Sequence, residues 1–413
     1  MKSKLLFLII TLLLISTNAL AGGFQLNEHG AKALALGGAF TAVANDPSAV
    51  YWNGAGLSQF SGTHLMLGSS LIAPQSSFRG VYPDITKYRA ANLVFFPTHF
   101  FATHAFSEKF SAGFGFTTPF GLGTEWDSDW IGKYLAVKTQ LMTFTLSPVV
   151  TYSPIKQISL SAGFVYSFAN VIIERKVQPS TILADDAYVS LEGNDNAAFG
   201  FNAGLMIKPT SFLTIGASYH SQVKYGFTGT ATSTGPAQLQ SQLPSGDISA
   251  ELTTPQNIAV GIAIDITKNL KVSADYQMVG WSSYDKLEVK FEETGTVSSS
   301  PRLYDDSYII RFGAGYRLND QVSLMGGAYF DKNPVSTKYL NPSLPESDRL
   351  GLSCGIEGRL FDNFTITGSY LFIRAKQLTV SDSEEIYSGL GSTFNGTYNS
   401  SANIFSLGFV YSF

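Results

Sequence analysis

The sequence predicts an all-β protein, an antiparallel transmembrane β-barrel of about fourteen strands with a partly helical N-terminal segment in its lumen. Large apolar and small side chains alternate along many long segments, which is the two-residue period of a β-strand. After the first 21 residues, no segment has the roughly 18 consecutive apolar residues of a transmembrane helix. Only 14% of the 413 residues are charged and 45% are hydrophobic, so much of the surface should face something other than water.

The last strand, Ile404 to Phe413, shows the alternation most clearly. Its large side chains share one face: Phe405, Leu407, Phe409, Tyr411 and Phe413. Its small side chains share the other: Ser406, Gly408 and Ser412. A soluble β-sandwich also alternates, but its strands usually have about five or six residues, whereas these segments reach about ten, as a tilted membrane crossing requires. Closure into a barrel would also remove the free edges of such long strands.

The connections between these segments differ in length. Short turns occur near 107–109, 153–156, 208–211, 267–269, 318–320 and 361–363. Long polar stretches occur near 121–137, 176–195, 230–247, 292–304, 332–348 and 380–401. This pattern predicts seven hairpins, with the short turns in the periplasm and the long loops outside the cell.

Residues 1–21 have the three parts of a secretory signal peptide. Lys2 and Lys4 precede an apolar run from Leu5 to Ile15, and Ala19-Leu20-Ala21 supplies small residues for cleavage after Ala21. The run is too short to cross a bilayer as a helix. We therefore expect export and a multi-pass barrel, residues 62–413, in the bacterial outer membrane.

Residues 22–61 do not alternate and contain many small residues. Ala31 to Leu36 could form a short helix, and Asn45 or Asp46 could cap one. A disordered leader is the alternative, but apolar residues are too frequent here for a solvated tail. Because side chains alone may not fill a barrel of about fourteen strands, we interpret residues 22–61 as a plug.

The sequence lacks the residue patterns of catalysis or of a cofactor site. The five histidines are spread along the chain: His29, His64, His99, His104 and His220. No Gly-x-Ser-x-Gly motif accompanies them, and His99 and His104 should lie on opposite faces of a strand. Cys354 is the only cysteine, and the net charge of −4 offers no basic region for nucleic acid. We expect neither an enzyme nor a cofactor, a metal site or a nucleic-acid partner.

Several motifs resemble one family of membrane proteins. They are Gly22 to Glu28, Asn45-Asp46, Asn53-Gly54-Ala55, Pro119 to Trp126, Ile173-Glu174-Arg175, Asp306-Ser307-Tyr308, Phe330 to Val335 and Leu344 to Arg349. On these motifs the chain resembles the FadL family of outer-membrane long-chain fatty-acid and hydrocarbon transporters over nearly its whole mature length. The resemblance implies fourteen strands, an N-terminal hatch at residues 22–61, an internal apolar pocket, and sideways release into the membrane beside a kinked third strand.

Pro119, Phe120 and Gly121 form the candidate kink. Proline cannot donate to a strand ladder and glycine weakens a strand, so pairing could break here. From the residues alone an ordinary strand end is about equally plausible, and the resemblance favours the kink and a lateral opening. Asn53-Gly54-Ala55 stands where the family has an Asn-Pro-Ala hatch motif, so glycine replaces the rigid proline.

The resemblance also implies ligand-binding residues. Phe24 stands where the family has a phenylalanine at the mouth of the pocket. Arg175 should point into the lumen beside Val171 and Ile173, and an apolar wall with one cation suits a carboxylate. Arg302 is nearest to a second basic position of the family. Asp331 matches a family aspartate and is expected to contact Arg175, the hatch or the free N-terminus.

A plain lumen charge is the alternative for Arg175, because other charged residues share its inward parity: Arg311, Arg317, Arg349, Glu357 and Arg359. The leading hypothesis is passive uptake of hydrophobic small molecules, first of all long-chain fatty acids, by a monomer surrounded by bilayer and lipopolysaccharide. Monoaromatic hydrocarbons are the alternative substrates. A general aqueous porin, or an adhesive barrel that uses the loops at 176–195 and 380–401, are the alternative functions.

Overall fold

A computed structural model describes residues 23–83, 85–178, 186–387 and 392–413. The predicted signal peptide, residues 1–21, lies outside the described residues. So do parts of two predicted loops, residues 179–185 and 388–391.

Fourteen strands form one closed antiparallel barrel. In chain order they are β1 (Thr63–Gly80), β2 (Lys87–Arg89 and Thr98–Ala105), β3 (Phe110–Thr117 and Gly121–Glu125), β4 (Lys138–Ile155), β5 (Ile158–Val177), β6 (Ala187–Thr210), β7 (Leu213–His220 and Lys224–Thr234), β8 (Gly246–Thr253 and Asn257–Asp265), β9 (Leu270–Val279 and Lys286–Phe291), β10 (Val297–Pro301 and Ser307–Arg317), β11 (Val322–Asp331), β12 (Arg349–Phe361), β13 (Phe364–Ala375 and Leu378–Val380) and β14 (Gly396–Ser412). A further short pairing joins Ile386–Tyr387 to Ser392–Thr393.

The first and last strands close the barrel. Strand β1 pairs with β14 from His64 opposite Ser412 to Gly80 opposite Gly396, and with β2 on its other side. Because every strand has two antiparallel neighbours, the sheet has no free edge. The predicted barrel of about fourteen strands is confirmed.

The alternation of side chains also follows the prediction. In β14, Leu407 is 54% exposed and the adjacent Ser406 is 2% exposed. The outward faces of the strands therefore form an apolar surface that only a bilayer can cover, since a soluble protein would expose it to water.

One of the long loops folds back into the barrel, which the sequence did not predict. Residues 332–348 contain a short 3-10 helix, Thr337–Tyr339, and fold inward. Leu340 is fully buried and Leu344 is 8% exposed. Their apolar side chains close the mouth of the barrel together with Trp126, whose indole donates to the carbonyl of Pro342 at 3.0 Å.

The N-terminal segment packs against the inner faces of the strands. It contains α1 (Ala31–Ala35), α2 (Ala49–Trp52) and a 3-10 helix, Gly54–Gln59. Helix α1 contacts β11 to β14, whereas the 3-10 helix contacts β2 to β6, so the segment spans the lumen. Two further 3-10 helices, Ala237–Gln242 and Trp281–Ser283, lie in connections. No helix among the described residues is long and apolar enough to cross a membrane.

Candidate functional site

Strand β3 is broken at the position where the sequence predicts a kink. Its pairing with β2 ends at Phe116 opposite Phe100, and its second half, Gly121–Glu125, pairs with β4. Pro119 lies between the two halves and has no N–H for a ladder. The pairing with β2 therefore does not continue past Phe116, whereas the Phe120 carbonyl still accepts a hydrogen bond from the Thr143 N–H of β4 at 3.2 Å.

The N-terminal segment takes the place of the missing neighbour. The backbone N–H of Leu26 donates to the carbonyl of Pro119 at 2.9 Å, and that of Gly121 donates to the carbonyl of Phe24 at 3.0 Å. Residues 24–26 thus form a short antiparallel bridge with the broken strand. These hydrogen bonds connect the start of the N-terminal segment directly to the wall.

Phe120 turns into the lumen at the break. Its side chain is 7% exposed, and its ring lies 6.0 Å from that of Phe24. The Thr143 hydroxyl accepts from the Phe120 N–H at 2.9 Å and donates to the Phe120 carbonyl at 2.8 Å. Strand β4 therefore holds the inward conformation in place.

A cavity of about 300 Å³, here called the wall cavity, lies at the break. On the lumen side it is lined by Phe24 and Leu344. On the outer side it is lined by Phe96 and Met142, which are 63% and 38% exposed. The lining of this one cavity therefore includes both inward and outward side chains.

A second cavity of about 180 Å³, here called the inner cavity, lies in the lumen. Val171, Ile173, Arg175 and Arg302 all line it, together with Phe24. Further apolar walls come from several strands: Leu191, Phe227, Ile248, Leu252 and Val289. An apolar cavity with a few charged groups is typical of a site for an amphipathic small molecule.

Four apolar residues line both cavities and separate them: Phe24, Leu122, Leu141 and Leu344. They come from the N-terminal segment, strands β3 and β4, and the loop at 332–348. A displacement of Phe24 or Leu344 would join the inner cavity to the wall cavity.

The charges of the inner cavity are unevenly paired. Arg302 forms an ion pair with Glu385 at 3.3 Å, and both side chains are 10% exposed. Asn341 donates to the other carboxylate oxygen of Glu385 at 3.0 Å. Burial raises the pKa of Glu385, and Arg302 opposes that shift. Within the described part of the chain, Arg175 has no carboxylate within 4.0 Å.

An aromatic cluster that the sequence did not predict surrounds Phe24. The ring of Phe24 lies edge-on to Trp281 at 4.8 Å and to Tyr284 at 5.8 Å, and Tyr304 lies 5.9 Å from Trp281. Trp281 and Tyr284 follow the first half of β9, where that strand leaves the ladder. Aromatic residues at a point where a strand is interrupted are the sequence feature from which this cluster could have been predicted.

Gly23 fits closely against the same cluster. Its φ is +67°, and a Cβ there would lie 2.3 Å from the Trp281 ring. Only glycine satisfies both conditions, so the residue before Phe24 fixes how the segment enters the cluster.

Asp331 lines neither of the two cavities. Its carboxylate pairs with Arg349 at 3.0 Å, and Arg349 also donates to the carbonyl of Gly23 at 3.3 Å. Among the contacts expected for Asp331, the structure thus shows a link to the N-terminal segment, made through Arg349.

Asn53, Gly54 and Ala55 lie where the N-terminal segment meets the strands. The Asn53 side chain accepts from the Ala55 N–H at 3.2 Å and donates to the carbonyls of Thr41 and Leu205 at 2.8 and 3.1 Å. The motif therefore begins the 3-10 helix and fastens it to β6.

Two histidines that are distant in sequence meet inside the barrel. The rings of His29 and His99 lie 6.3 Å apart, and both are buried. Within the residues that the structure describes, no group of three or more His, Cys, Asp or Glu side chains could hold a metal ion.

The comparisons with known proteins agree with this geometry. The sequence profile of the family described as "Outer membrane protein transport protein (OMPP1/FadL/TodX)" matches residues 12–413. The chain is 25% identical to Outer membrane protein P1 of Haemophilus influenzae, covering 97% of each chain. It is 27% identical to the Long-chain fatty acid transport protein of Salmonella typhi, covering 86% of this chain and 89% of that protein.

Solved structures share the fold. The structure of a Pseudomonas aeruginosa FadL homologue superposes with a TM-score of 0.85 at 19% identity, covering 95% of this chain and all of that one. The Ralstonia pickettii toluene transporter TbuX superposes with a TM-score of 0.73, also at 19% identity, covering 94% of this chain and all of that one. At these identities the likeness concerns the fold alone.

Proposed function

Because the chain belongs to the outer membrane protein transport protein family (OMPP1/FadL/TodX), we propose that its substrates are long-chain fatty acids, taken up passively. It is an outer-membrane transporter of hydrophobic compounds and not an enzyme. The observation that carries the proposal is Arg175, which among the described residues has no carboxylate within 4.0 Å and lines a cavity whose walls are mainly apolar.

The inner cavity is the proposed binding site. Val171 and Ile173 offer apolar surface to an acyl chain, and the Arg175 guanidinium offers charge-assisted hydrogen bonds to a carboxylate. Arg302 is already paired with Glu385, so its contribution is smaller than that of Arg175.

The wall cavity is the proposed exit. A ligand that passes the partition at Phe24 and Leu344 reaches the break in β3 and then Phe96 and Met142 on the outer surface. A sideways exit spares an apolar chain from crossing water. In this proposal residues 23–61 act as the hatch that blocks the direct path through the lumen.

Uptake by cells tests the function as a whole. A strain without other proteins of this family should take up labelled oleate several-fold faster when it expresses this chain. Equal uptake with and without the folded barrel in the outer membrane would refute the proposal.

The variant Arg175→Ala tests the headgroup assignment. Binding of a fatty acid to the purified barrel should weaken about tenfold, because a charge-assisted hydrogen bond is lost in a buried site. Binding of the methyl ester with the same chain should not change. Arg374→Ala, which removes an exposed arginine of β13, is the matched control and should leave both ligands unaffected. An equal loss for acid and ester would contradict the assignment.

Monoaromatic hydrocarbons are the second candidate substrates. The cluster of Phe24, Trp281, Tyr284 and Tyr304 beside the inner cavity offers aromatic faces to a neutral ring. Competition between toluene and a bound fatty acid distinguishes the candidates. If toluene displaces the fatty acid only at concentrations far above those at which it binds other apolar surfaces, the fatty acid is favoured. If micromolar toluene displaces it, the hydrocarbon is favoured.

A further inference from the structure

Glu346 and Arg349 lie at the inner side of the wall cavity, outside the proposed headgroup site. Both line that cavity, and neither lines the inner cavity. Their side chains are 12% and 19% exposed, and the closest charged atoms, Oε1 and Nη1, are 3.7 Å apart. They belong to the end of the loop at 332–348 and the start of β12.

Both side chains have unused hydrogen-bonding atoms. Among the described residues, Glu346 Oε2 and Arg349 Nε are buried and have no hydrogen-bond partner. Gln25 Oε1 and Thr118 Oγ1, which line the same cavity, also lack one. Buried polar atoms without partners are uncommon in proteins, and here four of them belong to residues that line one mainly apolar cavity.

The unused atoms are complementary to one chemical group. Arg349 Nε can donate a hydrogen bond and Glu346 Oε2 can accept one. A protonated carboxyl group accepts with its carbonyl oxygen and donates with its hydroxyl, so it satisfies both atoms. A neutral hydrocarbon satisfies neither.

We propose that Glu346 and Arg349 form a second carboxyl-binding site, which holds the substrate's carboxyl group with one shared proton before the ligand leaves through the wall. The inference rests on the proposed function, since the ligand must first reach the wall cavity. It names carboxylic acids as the substrate class at this exit.

The charges around Glu346 explain why a proton must be shared. Arg349 faces it from β12, but Arg349 is also paired with Asp331 of β11 at 3.0 Å. Tyr304 also lies near enough to Glu346 to interact with it electrostatically. Burial raises the pKa of Glu346 to about 7, with Arg349 opposing and Asp331 reinforcing the shift. A ligand carboxylate would add a further negative charge, and two adjacent buried carboxyl groups cannot both ionise.

The proton balance of the step is simple. One proton enters from water and is held between Glu346 Oε2 and an oxygen of the ligand. The ligand departs into the bilayer as the neutral acid and carries that proton. Glu346 remains as a carboxylate beside Arg349 and is protonated again from water.

Proton uptake on binding is the decisive measurement. Dodecanoic acid and methyl dodecanoate would be titrated calorimetrically into the full-length barrel at pH 7.5, in buffers of different ionisation enthalpy. The Arg175→Ala background weakens the inner site and isolates the exit site. We expect uptake of nearly one proton per acid bound and of none per ester bound.

Glu346→Gln should abolish the proton uptake and weaken binding of the acid about tenfold, without changing binding of the ester. Glu108→Gln, which alters an exposed turn residue, is the matched control and should behave like the parent. Whether each variant keeps the folded barrel is checked by its resistance to unfolding in detergent when the sample is not heated. If Glu346→Gln does not fold, the proton uptake measured when the acid binds to the protein that keeps Glu346 still tests the proposal.

Two results would overturn the proposal: acid binding without proton uptake, or proton uptake that persists in Glu346→Gln. Either can occur while acid and ester both bind and oleate is still taken up. Failure of the proposed function looks different, because then neither ligand binds and uptake does not depend on the barrel.

Discussion

Gly54 lies where the N-terminal segment packs tightly against the barrel wall. A Cβ at this position would lie 2.6 Å from Val149 Cγ1 and 2.8 Å from Ser161 Oγ. The Gly54 carbonyl also accepts a hydrogen bond from Thr151 Oγ1 at 2.8 Å. Close approach to β4 and β5 therefore accounts for glycine in the middle of the Asn53-Gly54-Ala55 motif.

The variant Gly54→Ala should lower the free energy of unfolding by about 1–3 kcal/mol, the usual cost of overpacking a tight contact. The midpoint of urea unfolding in micelles measures it. Gly358→Ala is the matched control, because a Cβ at Gly358 meets nothing within 4 Å. Equal midpoints for the two variants would show that the neighbouring side chains can move to accommodate a methyl group at Gly54 without lowering the free energy of unfolding.

The two arginines of the inner cavity differ in their partners rather than in their type. Glu385 neutralises Arg302, whereas Arg175 has apolar neighbours on its own strand. A ligand carboxylate gains most where no internal carboxylate competes, and this is the reason to assign the headgroup to Arg175.

At the scale of elements, three segments contribute to the wall cavity beside the strands that line it. Strand β3 breaks at Pro119, the N-terminal segment pairs with the broken backbone, and the loop at 332–348 supplies Leu344 and Glu346. All three supply residues to the lining of the cavity, which strands β1, β4, β13 and β14 complete.

Filling the wall cavity tests whether ligands leave through it. Ala402 of β14 lines the cavity, so Ala402→Trp would place an indole in the proposed path. Uptake of oleate should fall about tenfold while binding in the inner cavity persists. Phe405→Trp, on the outer face of the same strand, is the matched control and should transport normally. Normal uptake by Ala402→Trp would direct the search to another exit.

For the whole molecule, the barrel and its contents form a plugged structure. The closed sheet leaves a lumen that residues 23–61 span from β2 to β14, and buried apolar residues line their contacts. Such an interior differs from the polar channel of a general porin.

Ion conductance separates the two kinds of barrel. In a planar bilayer the intact protein should conduct little, and a variant without residues 23–61 should conduct at least about tenfold more, because the lumen then fills with water. A large, steady conductance of the intact protein would support a general porin.

The amino-acid sequence by itself determined the barrel. The two-residue period follows from strand geometry and needs no partner, so the outward Leu407 and the inward Ser406 could be assigned from the chain alone. The inward parity of Arg175 follows from the same local rule, whereas Pro119 and Gly121 by themselves were about equally compatible with an ordinary strand end, and the family resemblance favoured the kink. The lack of alternation in residues 22–61 likewise separated that segment from the strands.

Only the tertiary structure decided what those residues meet. Arg302 and Glu385 are 83 positions apart, and the aromatic cluster brings Phe24 to Trp281 across the lumen. The two unused atoms of Glu346 and Arg349 are buried because the loop at 332–348 folds into the barrel. Strand period fixes the face on which a side chain lies, but closure of the sheet and the inward loops fix its neighbours, and the chemistry of both cavities depends on those neighbours.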